Sequence, residues 1–154
     1  AGVRANHKPE IEAGQKFHSQ ILSYPEALAD VFHTFPMKIA IAGAHGKSTT
    51  SAMIGTFLHD LGVQGTTITG TLVKAFDGKN ISSEGQKIMN IEACEYRNAF
   101  LKYHPDIAVV TNIDPDHLDF FKTEAAYTEA FHTFARTSRC LVMLADEAEK
   151  KGMA

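Results

Sequence analysis

One nine-residue stretch constrains this chain more than any other: Ala42-Gly43-Ala44-His45-Gly46-Lys47-Ser48-Thr49-Thr50. It follows MKIAIA (37–42), a short apolar run of the kind found in a strand buried on both faces. It precedes a segment in which Met53, Ile54, Phe57, Leu58 and Leu61 recur at helical spacing, ending near Gly62. Strand, glycine-bearing loop and helix in that order make a phosphate-binding loop. Glycines let backbone N–H groups turn inward around an anion, and the helix N-terminus adds partial positive charge. Lys47 is placed to reach the β/γ-phosphates as a point charge, and Ser48 to offer its hydroxyl to Mg2+. The usual G-x-x-x-x-G-K-[ST] spacing is not met, since Ile41 stands where the first glycine belongs; the motif here is G-x-x-G-K-S, opened by Gly43. The competing reading is a tight strand-to-helix turn that happens to contain Gly-Lys-Ser. Thr49 and Thr50 fit first-turn caps as well as ligands.

The rest of the chain alternates in the same way. TTIT (66–69), IMNIEA (88–93), DIAVVTN (106–112) and CLVML (140–144) read as further strands, the last as a buried one. Asp77-Gly78-Lys79-Asn80 reads as a turn. Residues 123–137 read as a helix with Tyr127, Ala130, Phe131 and Phe134 on one side, and DEAEKK opens a last one. The fold class is therefore α/β, a mostly parallel sheet with flanking helices. Residues 1–36 differ. Ser23-Tyr24-Pro25-Glu26 is a helix start, Leu28, Val31, Phe32 and Phe35 give the helix an apolar face, and Pro36 closes it. That helix, with the apolar run 17–22 before it, reads as the tail of something preceding residue 1, and the sheet domain as residues 37–154.

Two later segments offer ligands for a metal–phosphate site. Glu92 and Glu95 stand where one strand ends, and Asn112, Asp114, Asp116 and His117 stand just past another. Ligands of open parallel sheets collect beyond the carboxyl ends of the strands, so these segments are expected to converge with the loop. Mg2+ takes hard oxygen ligands, which suits Glu92 and Ser48 and makes His117 an odd choice on softness alone. The alternative is that Glu92 is a solvated strand-end charge and that Asp114 and Asp116 are turn formers around Pro115. His7, His18, His33, His59, His104 and His132 have no constellation around them and read as surface or helix-face residues. Cys94 reads as a small buried residue at a strand end rather than a nucleophile.

Composition narrows the class further. With 44 % hydrophobic and 21 % charged residues, 154 residues make an ordinary globular domain. A net charge of −3 argues against a nucleic-acid partner. No apolar run approaches the ~18 residues of a membrane span. Two cysteines without metal-ligand spacing fit the reduced cytoplasm.

These residues resemble the ATP-dependent Mur ligases of bacterial cell-wall synthesis. IAIAGAHGKSTTSAMIG is similar to that family's loop, G-T-H-G-K-T/S-T-T, with Ala44 where threonine is usual. EACEYRNAFLKYHPDIAVVTNIDPDH resembles its second and third motifs, and Glu95-Tyr96-Arg97 favours the alanine-adding branch. AGVRANHKPEIEAG resembles the end of the family's N-terminal UDP-sugar-binding domain, which assigns residues 1–36 to that tail and its linker and 37–154 to an incomplete central ATP-binding domain.

The resemblance implies ATP and Mg2+ as cofactors. It places Gly43, Ala44, His45, Gly46, Lys47, Ser48, Thr49 and Asn112 around ATP. It makes Lys47, Glu92 and His117 catalytic, and gives the metals to Ser48, Glu92 and His117. It also implies a cytoplasmic ligase that joins L-alanine to UDP-N-acetylmuramate through an acyl phosphate, with this stretch alone inactive. Residues 123–139 hold no lysine for the carbamylated position of sister ligases, as the alanine-adding branch requires. The rival readings are a muropeptide-recycling ligase of the same family, a general phosphate-loop kinase or NTPase, and a nucleotide-binding module without catalysis.

Overall fold

The computed structural model describes residues 8–153; His7 and the start of the AGVRANHKPEIEAG stretch lie outside the described residues. Helix α1 (Lys8–Lys16) buries none of its residues, as its polar sequence dictates. Helix α2 (Tyr24–Phe32) begins where the sequence places it. The Glu26 carboxylate accepts from the Ser23 N–H at 2.8 Å and the Ser23 hydroxyl at 2.6 Å, and Pro25 occupies the first turn. Leu28, Ala29, Phe32 and Phe35 are buried, whereas Val31 lies at the edge of that stripe and is exposed.

The remaining elements follow as β1 (Met37–Ala42), α3 (Lys47–Asp60), β2 (Gly65–Val73), β3 (Lys79–Ser83), β4 (Ile88–Glu92) and β5 (Ile107–Val110). After them come α4 (Leu118–Phe121), α5 (Glu124–Arg136), β6 (Cys140–Val142) and α6 (Ala145–Lys151), with 3-10 turns at Lys74–Phe76 and Tyr96–Lys102. The six strands lie in the order β3-β2-β4-β1-β5-β6. All neighbours are parallel except the β2–β3 hairpin. This is the expected α/β sheet with flanking helices, and β1 lies at its centre, with Ala40, Ile41 and Ala42 fully buried. The three ends that carry Gly43, Glu92 and Thr111 therefore open on one edge of the sheet.

Three elements depart from the sequence reading. Strand β3 has no apolar run; as an exposed edge strand it needs only backbone pairing beyond the turn at Asp77-Gly78. Strand β6 spans three residues and is not a buried strand: it closes the opposite edge, with Cys140 and Val142 exposed. In α3 the buried residues are Ser51 and Gly55, while Met53 and Phe57 are 54 % and 59 % exposed. The helix runs so close to the sheet that a Cβ at Gly55 would lie 2.7 Å from the Phe76 ring and 2.8 Å from the Thr67 side chain. Close packing selects small residues at the contact and turns Met53 and Phe57 outward, with Ile54 and Leu58 half-buried. The helix is tied down by Asn90 of β4, which donates to the Ser51 carbonyl at 2.9 Å.

The main core lies around β1, β4 and β5 and is aromatic. Phe100 stacks on Phe134 at 4.9 Å and meets Phe131 edge-on at 5.1 Å, and Tyr127 packs on Phe131 and Phe121. Leu28, Phe32 and Phe35 belong to the same cluster.

Candidate functional site

The loop between β1 and α3 is held from the side by the end of β5. Gly43 has φ +138°, and a Cβ there would fall 2.0 Å from Thr111 Oγ1, so only glycine fits. Gly46, at φ +82°, caps α3 in the left-handed region. Asn112 braces the loop backbone: its Oδ1 accepts from the His45 N–H at 3.0 Å, and its Nδ2 donates to the His45 carbonyl at 3.0 Å. Thr111 donates its hydroxyl to that same carbonyl at 2.6 Å. Of the expected loop residues, Gly43 and Ala44 are buried, Lys47 and Ser48 half-buried, and His45, Gly46 and Thr49 exposed.

Ala44, His45, Gly46, Lys47, Ser48, Thr49 and Glu92 line one depression of about 340 Å3. Glu92 is held there by the Gly70 N–H, which donates to its Oε2 at 2.7 Å. A Cβ at Gly70 would stand 2.7 Å from the Glu92 carboxylate, so β2 leaves room for that side chain by having none of its own. A serine hydroxyl and a carboxylate facing one depression are hard oxygen donors, a set that fits Mg2+.

The Lys47 ammonium donates to the Gly43 carbonyl at 2.5 Å, the Ala44 carbonyl at 3.2 Å and Glu95 Oε1 at 3.2 Å. Glu95 is fully buried, and its Oε2 lies 3.1 Å from the same nitrogen. His117 approaches from the other side, its Nε2 3.7 Å from Glu95 Oε1 and 3.8 Å from Asp116 Oδ2. Its backbone is left-handed at φ +51°. The Tyr96 ring packs on the imidazole at 4.8 Å, and the Arg97 guanidinium lies over that ring at 5.3 Å.

Glu92 and His117 thus stand in different parts of the crevice. Among the described residues, Glu95, Asp116 and His117 have ligand atoms all within 4.8 Å of one another, and Glu92 faces the loop. Asp114 is exposed beside Pro115. Sequence reasoning offered Glu95 as a strand-end ligand beside Glu92 but not as the partner of Lys47, and it gave Thr111 no role, although its strand-end position was a signal.

The other candidates fall away as expected. His18, His33, His59 and His104 are exposed, and His132 is half-buried against the Lys151 carbonyl at 2.8 Å. Cys94 is an exposed residue rather than the buried one the sequence suggests, yet desolvation of its thiol still pushes its pKa up, which leaves it a poor nucleophile. Among the described residues, no helix is long and apolar enough to cross a membrane.

A mostly parallel sheet with a glycine-opened, lysine-bearing loop between its central strand and a helix defines an α/β protein of phosphate-loop type. Residues 41–154 match the Mur ligase middle domain, and the chain belongs to that family. The UDP-N-acetylmuramate–L-alanine ligase of Borreliella burgdorferi is 41 % identical over 111 residues, which is 72 % of this chain and 24 % of that protein. Its counterpart in Arthrobacter sp. is 36 % identical over 157 aligned residues, covering 100 % of this chain and 33 % of that protein.

Among solved structures, UDP-N-acetylmuramate-alanine ligase from Thermotoga maritima superposes with a TM-score of 0.82 at 23 % identity, over 95 % of this chain and 34 % of that one. UDP-N-acetylmuramate:L-alanyl-gamma-D-glutamyl-meso-diaminopimelate ligase from Neisseria meningitides gives 0.72 at 26 % identity, over 91 % and 51 %. The chain spans about a quarter to a third of the length of the curated relatives it matches.

Proposed function

We propose that this chain supplies the ATP and Mg2+ site of a cytoplasmic ligase that joins L-alanine to UDP-N-acetylmuramate, making a peptidoglycan precursor. The observation that carries this reading is the convergence of Lys47, Ser48 and Glu92 on one depression at the strand ends. Residues 1–36 then belong to the tail and linker of a UDP-sugar-binding domain, and residues 37–154 to the central domain.

In this reading the loop from Gly43 to Thr49 binds the ATP phosphates through its N–H groups and the N-terminus of α3. Asn112 keeps that loop in shape, and His45, on the exposed rim, faces the sugar nucleotide. Lys47 compensates charge on the β/γ-phosphates. Ser48 and Glu92 hold one Mg2+, and His117 stands beside a second. Bound Mg2+ supplies charge neutralisation where a carboxylate meets a polyanion. The muramate carboxylate attacks the γ-phosphorus, the bond to ADP breaks, and an acyl phosphate results. The amine of L-alanine then attacks the acyl carbon, losing a proton as phosphate leaves. Positioning and electrostatics are what the protein contributes, and the stretch alone binds nucleotide without turnover.

The test is phosphate release from Mg-ATP and UDP-N-acetylmuramate by the intact ligase that carries this chain, with and without L-alanine. Release that depends on both substrates and is abolished by Lys47→Ala is the expected result. Release that ignores L-alanine, or survives Lys47→Ala, overturns it. The likeness to the Neisseria ligase favours a second reading, in which the amine is L-alanyl-gamma-D-glutamyl-meso-diaminopimelate. Replacing L-alanine with that tripeptide in the same assay separates the two.

A further inference from the structure

We infer that Glu95 is the counter-charge of Lys47, and that it makes nucleotide binding at this loop depend on a divalent cation. The inference rests on reading the loop as a nucleotide phosphate site. Every donor of the Lys47 ammonium already has a protein acceptor: the Gly43 carbonyl, the Ala44 carbonyl and Glu95. Glu95 is fully buried and the Lys47 side chain is 14 % exposed, so the pair is shielded from solvent and its attraction is weakly screened. The loop's principal positive charge is therefore cancelled before any ligand arrives.

The neighbouring charges deepen the deficit. Glu92 lies in the same depression, and Asp116 stands with His117 beside Glu95. Glu92 and Asp116 thus add negative charge to the crevice beside the Lys47–Glu95 pair, a poor setting for a free polyphosphate. Lys47 cannot simply leave Glu95 for a phosphate, because a fully buried carboxylate left without a partner is costly. A divalent cation arriving with the nucleotide resolves both problems. It screens the phosphates from Glu92 and Asp116 and lets Lys47 serve phosphate and Glu95 together.

The position of Glu95 is built in rather than incidental. It sits on the turn after β4, where Arg97 and Asn98 are both left-handed at φ +55° and +57°, and the Asn98 N–H closes back on the Glu95 carbonyl at 2.9 Å. Strained backbone of this kind persists where the surrounding structure holds it, often beside a site.

The experiment is calorimetric titration of this chain with ADP, in chelator and in excess Mg2+, for the unmodified protein, Glu95→Gln, Glu95→Asp and Lys47→Ala. The unmodified protein is expected to bind ADP about tenfold or more tightly with Mg2+ than without. Glu95→Gln keeps an acceptor for Lys47 and removes the charge. It is expected to raise metal-free ADP affinity about tenfold and to shrink the Mg2+ enhancement by the same factor. Glu95→Asp keeps the charge and follows the unmodified protein, whereas a role in packing alone would make Asp as disruptive as Gln.

Equal ADP affinity with and without Mg2+ in the unmodified protein overturns the inference, whatever the variants do. So does a Glu95→Gln variant whose metal-free affinity is unchanged or weaker. Failure of the unmodified protein to bind ADP in either condition overturns the phosphate-loop reading itself. ADP binding unaffected by Lys47→Ala does the same.

Discussion

Gly70 has no reactive group, yet it decides where a reactive one stands. Its N–H holds Glu92 at 2.7 Å, and its missing Cβ leaves the space the carboxylate occupies. Gly70→Ala meets only the far end of a flexible side chain, so the fold is expected to lose at most about 1 kcal/mol in urea unfolding. The displaced Glu92 is expected to weaken Mg2+-supported ADP binding about tenfold, as removal of a group that orients a metal ligand does. Unchanged binding would take Glu92 out of the site. Residues of this kind separate what a sequence tells from what it withholds. Lys47 and Ser48 were legible because strand, loop and helix are local and contiguous. The pairing of Lys47 with Glu95 was not, because it joins the loop to the end of another strand, and only the sheet order β4-β1-β5 brings those ends together.

At the scale of elements, apolar periodicity located α3 and misjudged its inner face. The pattern Met53, Phe57, Leu61 marks an apolar stripe, but close packing on the sheet reserves the inside for Ser51 and Gly55. Met53 and Phe57 instead line a depression of about 450 Å3 with Thr71 and Leu72. Strands β3 and β6 were misread for one reason: edge strands are specified by backbone pairing, which leaves little trace in side-chain pattern. The outer end of α3 carries a pH-dependent contact. His59 is held by Glu84, whose hydrogen bond and charge raise the imidazole pKa above its usual 6.5. A raised value means stabilisation that is fully present below pH 6.5 and is lost as pH rises through the folded-state value. The melting-temperature difference between the unmodified protein and His59→Gln should be largest below pH 6.5 and vanish in alkaline solution. A difference that grows with pH would refute the assignment.

Among the described residues the core is one hydrophobic cluster, and α2 joins it to the sheet through Leu28, Ala29 and Phe32. Phe32 is completely buried and meets Tyr103 edge-on at 5.8 Å. Truncating it should cost about 3–5 kcal/mol. Domains of this size have only about 5–15 kcal/mol in total, so Phe32→Ala should shift the entire unfolding transition rather than split off a segment. Separate transitions by fluorescence and circular dichroism would show that residues 24–35 fold independently of the sheet. The same sheet, by opening three strand ends on one side, assembles the crevice in which Mg-ADP is expected to bind, at the loop between β1 and α3. Amide chemical-shift mapping during an Mg-ADP titration tests this directly. The predicted shifts fall on residues 43–49, Glu92 and Asn112, and are lost in Lys47→Ala. Shifts confined to the Met53 and Phe57 face, or unchanged in Lys47→Ala, would contradict it.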